Sequence, residues 1–255
     1  MVSQAAKRVL VVAGVGNGTG TGAATARHFA KNGYSVALIG RERPGSNSVN
    51  NLAQEINQGG GQAASFAIPS YSHEDLTSAW SSIHTHFPKP DYAIRAAVFN
   101  VGHGVWKPFL DITPQEVQDC LQTSVAAAFS FSRGAILAFK ENHIEEPTGK
   151  RGTLIFTGAT AGIRGNVVTS AFAAGKFGMR ALSQSLAKEF GKENIHVAHS
   201  IIDGAIQVDP NADKEAVKDG RLRPESIASS YLYLVNQDRS AWTWELDLRP
   251  AHEKW

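Results

Sequence analysis

Val9-Leu10-Val11-Val12-Ala13 runs straight into Gly14-Val15-Gly16-Asn17-Gly18-Thr19-Gly20, and an alanine-rich stretch from Thr21 to Lys31 follows. The first run is short, apolar and β-branched, which is strand chemistry. The alanine-rich stretch is helical. Strand, glycine turn and helix in that order are the setting of a phosphate-binding loop. The glycines allow the backbone close to a diphosphate, and the helix start offers unpaired N–H groups at its positive dipole end. Gly33-Tyr34 then leads into a second strand over Ser35–Gly40, completing a βαβ unit. The expected ligand of this unit is a dinucleotide, bound along Gly14, Gly16, Asn17, Gly18, Thr19 and Gly20.

Outward from this unit the same alternation continues to the end of the chain. Strands are expected over Arg8–Ala13, Ser35–Gly40, Ala63–Ile68, Ala93–Phe99, Gly152–Thr157, Ile195–Ile201 and Thr243–Leu248. Helices are expected over Thr19–Asn32, Ser48–Gln58, Ser72–His86, Thr113–Asn142, Thr169–Gly191 and Pro224–Asn236. Such alternation predicts an α/β fold with a parallel sheet covered on both faces. No repeat or low-complexity linker interrupts it, so residues 1–255 read as a single domain. Thr113-Pro114-Gln115-Glu116 is a helix start with a threonine cap, an early proline and a glutamate three residues on. The apolar residues Val117, Leu121, Val125, Phe129 and Ile136 of that long helix exceed what one sheet face needs, which points to a subunit contact. Gly204–Arg223 is polar and follows a strand end; it reads as a flap over the ligand crevice or as a plain surface loop.

Composition narrows the function classes. The net charge is +2 over 255 residues, without a basic block, and gives nucleic-acid binding no electrostatic support. Cys120 is the single cysteine, so neither an internal disulfide framework nor a cysteine metal cluster is available. No apolar run approaches the roughly 18 residues of a membrane span, and none has the make-up of a signal-peptide core. A soluble, cytoplasmic protein without a metal is expected.

The residues now placed resemble those of the short-chain dehydrogenase/reductase family over nearly the whole chain. Ala13-Gly14 with Gly18 and Gly20 is similar to the family's TGxxxGxG loop, alanine replacing threonine. Asn100-Val101-Gly102 is similar to its NAG motif beside the cofactor. Asp203-Gly204-Ala205-Ile206 stands where the family has a Pro-Gly turn against the nicotinamide; Gly204 and Ile206 match, and Asp203 does not. The closing segment Ser240–Pro250 and Phe156–Thr160 resemble an atypical branch of the family. The resemblance implies a Rossmann-type, doubly wound sheet of seven strands in the order 3-2-1-4-5-6-7, a small-molecule substrate, and a homodimer or homotetramer built on the two long helices.

At the end of the second strand the chain reads Gly40-Arg41-Glu42-Arg43. An acidic residue there would bind ribose hydroxyls and favour NAD. Glycine takes that place, and Arg41 suits a 2′-phosphate, with Arg43 adding charge. NADP(H) is the expected cofactor, with Glu42 turned away. Pro69 replaces an aspartate found near the adenine in many relatives.

The catalytic pattern is where the sequence departs from the family. The resemblance implies a Tyr-x-x-x-Lys pair, an oxyanion-binding serine and a water-holding asparagine. Here the pair reads Phe172-Ala173-Ala174-Gly175-Lys176, Ala159 falls at the serine, and Ser124 falls at the asparagine. A general acid contributes on the order of 10² to 10⁴ in rate. An oxyanion donor contributes on the order of 10² to 10³ more. Without them, plain ketone reduction by the family route is not expected. Lys176 is expected to keep its ribose contact. Ser124, His103, Arg164, Thr157, Thr160, Thr169 and Ser170 are the candidate replacement donors or substrate ligands, each with a structural reading beside it. Trp106 and Phe172 offer an aromatic wall or ordinary core packing.

Three functions fit. One is an NADP(H)-dependent oxidoreductase acting on an imine, iminium or activated alkene. A second is a non-redox catalyst, such as a cyclase or isomerase, that uses the shaped pocket. A third is a non-catalytic NADP(H)-binding sensor or interaction protein.

Overall fold

The computed structural model describes residues 5–41, 47–146, 148–208 and 219–252. Its sheet has seven strands in the order β3-β2-β1-β4-β5-β6-β7, every pair parallel. The strands are β1 Lys7–Ala13, β2 Ser35–Arg41, β3 Gln62–Ile68, β4 Tyr92–Phe99, β5 Gly152–Thr157, β6 Ile195–Ile202 and β7 Glu245–Leu248. The Rossmann-type arrangement expected from the sequence is the one observed. Val9 to Ala13 are wholly buried, as a central strand covered on both faces requires.

One apolar cluster lies on each face of the sheet. The first joins Val9, Val11, Phe99 and Phe156 to Leu76, Trp80, Phe131 and Phe139. These side chains come from α3 (His73–His86) and α5 (Ala127–Lys140), with α6 (Ser170–Phe190) beside them. The second joins Leu10, Val12, Val98 and Ile155 to Phe29, Leu52, Ile227 and Tyr231, from α1 (Thr21–Lys31), α2 (Ser48–Gln58) and α7 (Pro224–Asn236). Residues of opposite parity on each strand feed opposite clusters, because side chains alternate across a strand. No helix among the described residues is long and apolar enough to cross a membrane.

Chain direction places the site. The connections from β1 run to one edge of the sheet, and β4 begins again on the other side of β1. The carboxyl ends of β1 and β4 therefore flank the switch point, where open α/β sheets take their ligands.

The expected long helix over Thr113–Asn142 is divided. α4 covers Pro114–Leu121, a single π-type turn covers Gln122–Ala126, and α5 resumes at Ala127. Periodicity does not reveal this, since one wide turn barely shifts an apolar stripe. The break lies where α6 approaches closely: a Cβ on Gly175 would come 3.0 Å from the Ser124 Cβ, and one on Gly178 would come 2.8 Å from Val125 Cγ2. The Thr113 capping box is formed as expected, its hydroxyl accepting from the Glu116 N–H at 3.2 Å. α1 starts at Thr21 rather than Thr19, and β7 starts at Glu245 rather than Thr243.

Candidate functional site

The glycine turn is fixed from two sides. The Gly14 N–H donates to the Ile39 carbonyl at 3.0 Å. Its own carbonyl accepts the Asn100 side-chain amide at 2.7 Å. Gly14 has φ +93°, and a Cβ there would lie 2.7 Å from the Asn100 carbonyl oxygen, so the turn demands glycine. Gly22, in the first turn of α1, is held as tightly. A Cβ on it would stand 2.2 Å from the Gly14 carbonyl. The sequence pattern missed Gly22, although its position just past Gly20 is the available signal.

α1 then begins without a side-chain cap and without an acidic residue in its first turn. Its leading N–H groups and positive dipole end are left for an anion. Asn17 turns inward on the loop, its carboxamide oxygen accepting from the Thr19 N–H at 3.3 Å and hydroxyl at 2.7 Å. Gly16 is tied to α2 through the Ser48 hydroxyl at 3.0 Å.

A cleft of about 300 Å³ runs along this loop, lined by Gly16, Asn17, Gly40, Arg41, Tyr71 and Gly102 among others. A Cβ at Gly40 would come 2.4 Å from Val49 Cγ2, so α2 leaves no room there for the aspartate of an NAD site. The Arg41 guanidinium lies over the Tyr71 ring, 5.5 Å from its centroid. Tyr71 is a cleft residue the sequence did not announce. Arg43 and Glu42 lie outside the described residues.

Lys176 stands close to the Gly102 end of the cleft without lining it. It is buried, and its ammonium donates to the Thr157 carbonyl at 3.0 Å. Burial pushes its pKa down to about 8, because the charged form loses hydration. A Cβ on Gly102 would approach Lys176 Nζ to 3.6 Å, so the Asn100–Gly102 turn and Lys176 share this end of the cleft. The same ammonium lies 5.8 Å from the centroid of the Phe172 ring, one helical turn earlier. Phe172 in turn packs on Trp106 at 5.3 Å between centroids.

Most candidate hydroxyls are engaged elsewhere. Thr157 Oγ1 shares a hydrogen bond with the Tyr231 hydroxyl at 2.8 Å. Thr160 Oγ1 donates to Asp203 at 2.6 Å, and Thr169 Oγ1 donates to the Asn166 carbonyl at 2.9 Å. Ser124 is wholly buried on the π turn, and its hydroxyl has no protein partner. It sits 3.1 Å from where a Gly175 Cβ would be, one residue along α6 from Lys176. His103 is half-buried, and its carbonyl receives the Cys120 thiol at 3.5 Å.

Arg164 is not simply held out toward a substrate. Its guanidinium donates to both oxygens of Asp203, at 3.0 and 3.2 Å. Asp203 is almost wholly buried and also meets Arg249 at 3.1 Å. The aspartate thus ties the segment after β5 and the segment after β7 to the turn carrying Gly204. Ile206 packs on the apolar cluster of α1 and α7 rather than standing free. Of the expected flap, residues 209–218 lie outside the described residues.

His199 is a second buried group the sequence did not flag. It stands on β6 directly under Gly158, whose Cβ would fall 2.3 Å from His199 Nε2. Neither ring nitrogen has a protein partner. Burial first, then the nearby Lys176 charge, push its pKa down to about 4.

With this geometry in view, comparison with known proteins is decisive at the family level. The short chain dehydrogenase family pattern matches residues 8–218. The chain belongs to that family. A short-chain dehydrogenase from Rhodopseudomonas palustris has 30% sequence identity, a TM-score of 0.75, and a match covering 95% of this chain and 98% of that one. A 3-oxoacyl-(acyl-carrier-protein) reductase of Chlamydia muridarum is 26% identical over 250 residues, 94% of each chain. An alcohol dehydrogenase from Thermococcus sibiricus, solved with 5-hydroxy-NADP, shares the fold at a TM-score of 0.81 with 19% identity. As a short-chain dehydrogenase the chain is an oxidoreductase-type, nucleotide-binding protein, and the family uses NAD(P)(H).

Proposed function

We propose that this short-chain dehydrogenase binds NADP(H) and transfers hydride to or from an activated C=N or C=C bond rather than a simple ketone. The observation that carries this reading is Phe172. Its ring occupies the position four residues before Lys176, packed between Trp106 and the Lys176 ammonium. A phenyl ring has no proton to give, and Ala159 has no hydroxyl to bind an oxyanion. Both residue identities support reading the site as one that works without these two groups.

The residues fit the dinucleotide. The Gly14–Gly20 turn and the uncapped start of α1 suit the diphosphate, and Asn17 and Thr19 shape its inner edge. Arg41 suits a 2′-phosphate, stacking on Tyr71 and leaving its N–H fork for oxygen. Gly102, Lys176, Gly204 and Ile206 are assigned to the nicotinamide end. When bound, the nicotinamide supplies the hydride. An iminium carbon already carries the positive charge that draws a hydride, so no acid is needed at that step. Lys176 holds the ribose. Ser124, with its buried unpartnered hydroxyl, holds a water behind Lys176.

α4, the π turn and α5 expose Leu121 and Phe129 beside a groove lined by Gln118, Gln122 and Val125. An exposed apolar face of this kind supports a homodimer or homotetramer built on the long helices.

The experiment is direct. NADPH and NADH affinities are measured on the purified protein, and absorbance at ~340 nm, the reduced-nicotinamide band, is then followed with ketones, cyclic imines and enones. Tighter NADPH binding with turnover of imines or enones, and little of ketones, is the expected result. Brisk ketone reduction overturns the reading of Phe172 and Ala159. Tight NADPH binding with no oxidation of any substrate moves the protein to a non-redox or purely binding role.

A further inference from the structure

The loops that follow β4, β5 and β6 leave large apolar side chains in solvent around the cleft. Trp106 is 63% exposed, Phe109 75%, Leu110 91%, Val167 88%, Val168 37% and Val208 51%. Isolated exposed apolar residues are ordinary, but a cluster at the mouth of a ligand cleft marks a contact surface. Three observations tie these loops to the site. Val208 lines the nucleotide cleft itself. Trp106 packs on Phe172 at 5.3 Å. The Lys107 N–H donates to the Val168 carbonyl at 3.0 Å, which binds the loop after β4 to the loop after β5.

The loops are held in this arrangement. Val105, Cys120 and Ala171 form a small apolar cluster of their own, with Ile112 and Val117 against it. The loop after β4 is thus anchored from beneath, and Phe109 and Leu110 are not core residues left without a core. Val168 has φ +63°, a left-handed conformation that is strained for a β-branched residue. Such strain persists where the surroundings fix it and often accompanies a ligand clamp. The cations on these two loops are already engaged. Lys107 pairs with Glu116, and Arg164 pairs with Asp203 at 3.0 Å. Neither is set aside for an anionic group.

We infer that the substrate is a small molecule without an anionic group and with a flat, mostly hydrocarbon body, seated on Phe172 and Trp106 and covered by the rim of Phe109, Leu110, Val167 and Val168. This inference rests on the hydride-transfer reading of the same cleft and names its substrate class. The Phe172–Trp106 pair reaches the nucleotide cleft through Lys176 and Gly102, which favours a molecule meeting the nicotinamide over a separate partner. Binding removes the rim from water, and the apolar area buried supplies the affinity.

The test uses the full chain loaded with NADP⁺, which has no hydride to give, and two probes with one arene in common. Chalcone is neutral and flat; cinnamate carries a carboxylate on the same styryl group. Calorimetric titration is expected to show chalcone binding at least about tenfold tighter than cinnamate. Leu110→Asp and Val167→Asp change nearly fully exposed positions and leave folding intact. Each is expected to weaken chalcone about tenfold while NADPH affinity stays within about twofold. Chalcone binding no better than cinnamate, or binding indifferent to both substitutions, overturns the inference. Attachment of the wild type to phosphatidylcholine vesicles that Leu110→Asp abolishes also overturns it, by giving the rim to a membrane. NADPH titrated alone separates the two readings. If NADPH fails to bind, the cofactor reading fails; if NADPH binds and chalcone is not preferred, only the substrate class fails.

Discussion

The Asn100 carboxamide donates to the Gly14 carbonyl at 2.7 Å and so clamps the end of β4 to the glycine turn after β1. The clamp closes the switch point of the sheet and sets the turn's shape. Asn100→Ala leaves the part-buried carbonyl without its partner, a cost of about 1–3 kcal/mol. The expected outcome is a loss of melting temperature together with weaker NADPH binding. Gly22→Ala is expected to be worse, because its Cβ would stand 2.2 Å from the same carbonyl and push α1 off the loop. Thermal melts and NADPH titrations of both variants check this order.

The NADP(H) reading is tested at Arg41 and Gly40. Arg41→Glu removes a charge-assisted contact to a 2′-phosphate and adds repulsion, so NADPH affinity is expected to fall about tenfold to a hundredfold while NADH changes little. Gly40→Asp does not convert the protein to NAD, because Val49 stands 2.4 Å from the new Cβ. Both cofactors are expected to bind more weakly to that variant. Fluorescence titration with each nucleotide distinguishes these outcomes.

The proposed lack of a proton donor is tested by supplying one. In Phe172→Tyr with Ala159→Ser, a phenol would stand one turn from Lys176, whose buried ammonium lies close enough to favour the phenolate. Ketone reduction by the double variant is expected to exceed the wild type by a factor on the order of 10² or more. The assay is oxidation of NADPH with simple ketones. No gain in rate would show that the pocket has lost more than its proton donor.

Asp203 carries a shared charge, meeting both Arg164 and Arg249. Asp203→Asn keeps the side-chain size and removes the charge. Breaking a fully buried pair costs roughly 3–5 kcal/mol. Here both arginines are partly solvated, so about 1–3 kcal/mol is expected, or roughly 2–12 °C in melting temperature for a chain of this size. Arg164→Ala is expected to cost less, since Arg249 still meets the carboxylate. Differential scanning calorimetry ranks the pair.

His199 makes acid stability specific. Its folded pKa is pushed down to about 4 from 6.5, as is that of His196 on the same strand. Between those values the unfolded chain binds protons that the folded chain refuses, so stability falls as pH drops from about 6.5 to about 4. His199→Gln is expected to lose less stability than the wild type across that window and to leave the His196 share in place. Urea midpoints at pH 7 and pH 5 measure the difference.

The order of the sheet was implied by the family resemblance, while the alternation of strands and helices, the glycine turn and the capping box at Thr113 were legible in the sequence because each rests on local chemistry or on spacing. So were the identities of Phe172 and Ala159, since the lack of a hydroxyl is a property of the residue itself. Tertiary structure alone decided which groups meet. Tyr71 reaches the cleft because β3 ends beside β2. Asp203 joins two arginines because β5, β6 and β7 end on one edge. The π turn at Ser124 arises where α6 presses its glycines against α4 and α5. Val168 takes a left-handed turn that no propensity predicts. In each case the cause is a neighbour distant in the chain, and side-chain pattern cannot report a contact whose partner lies dozens of residues away.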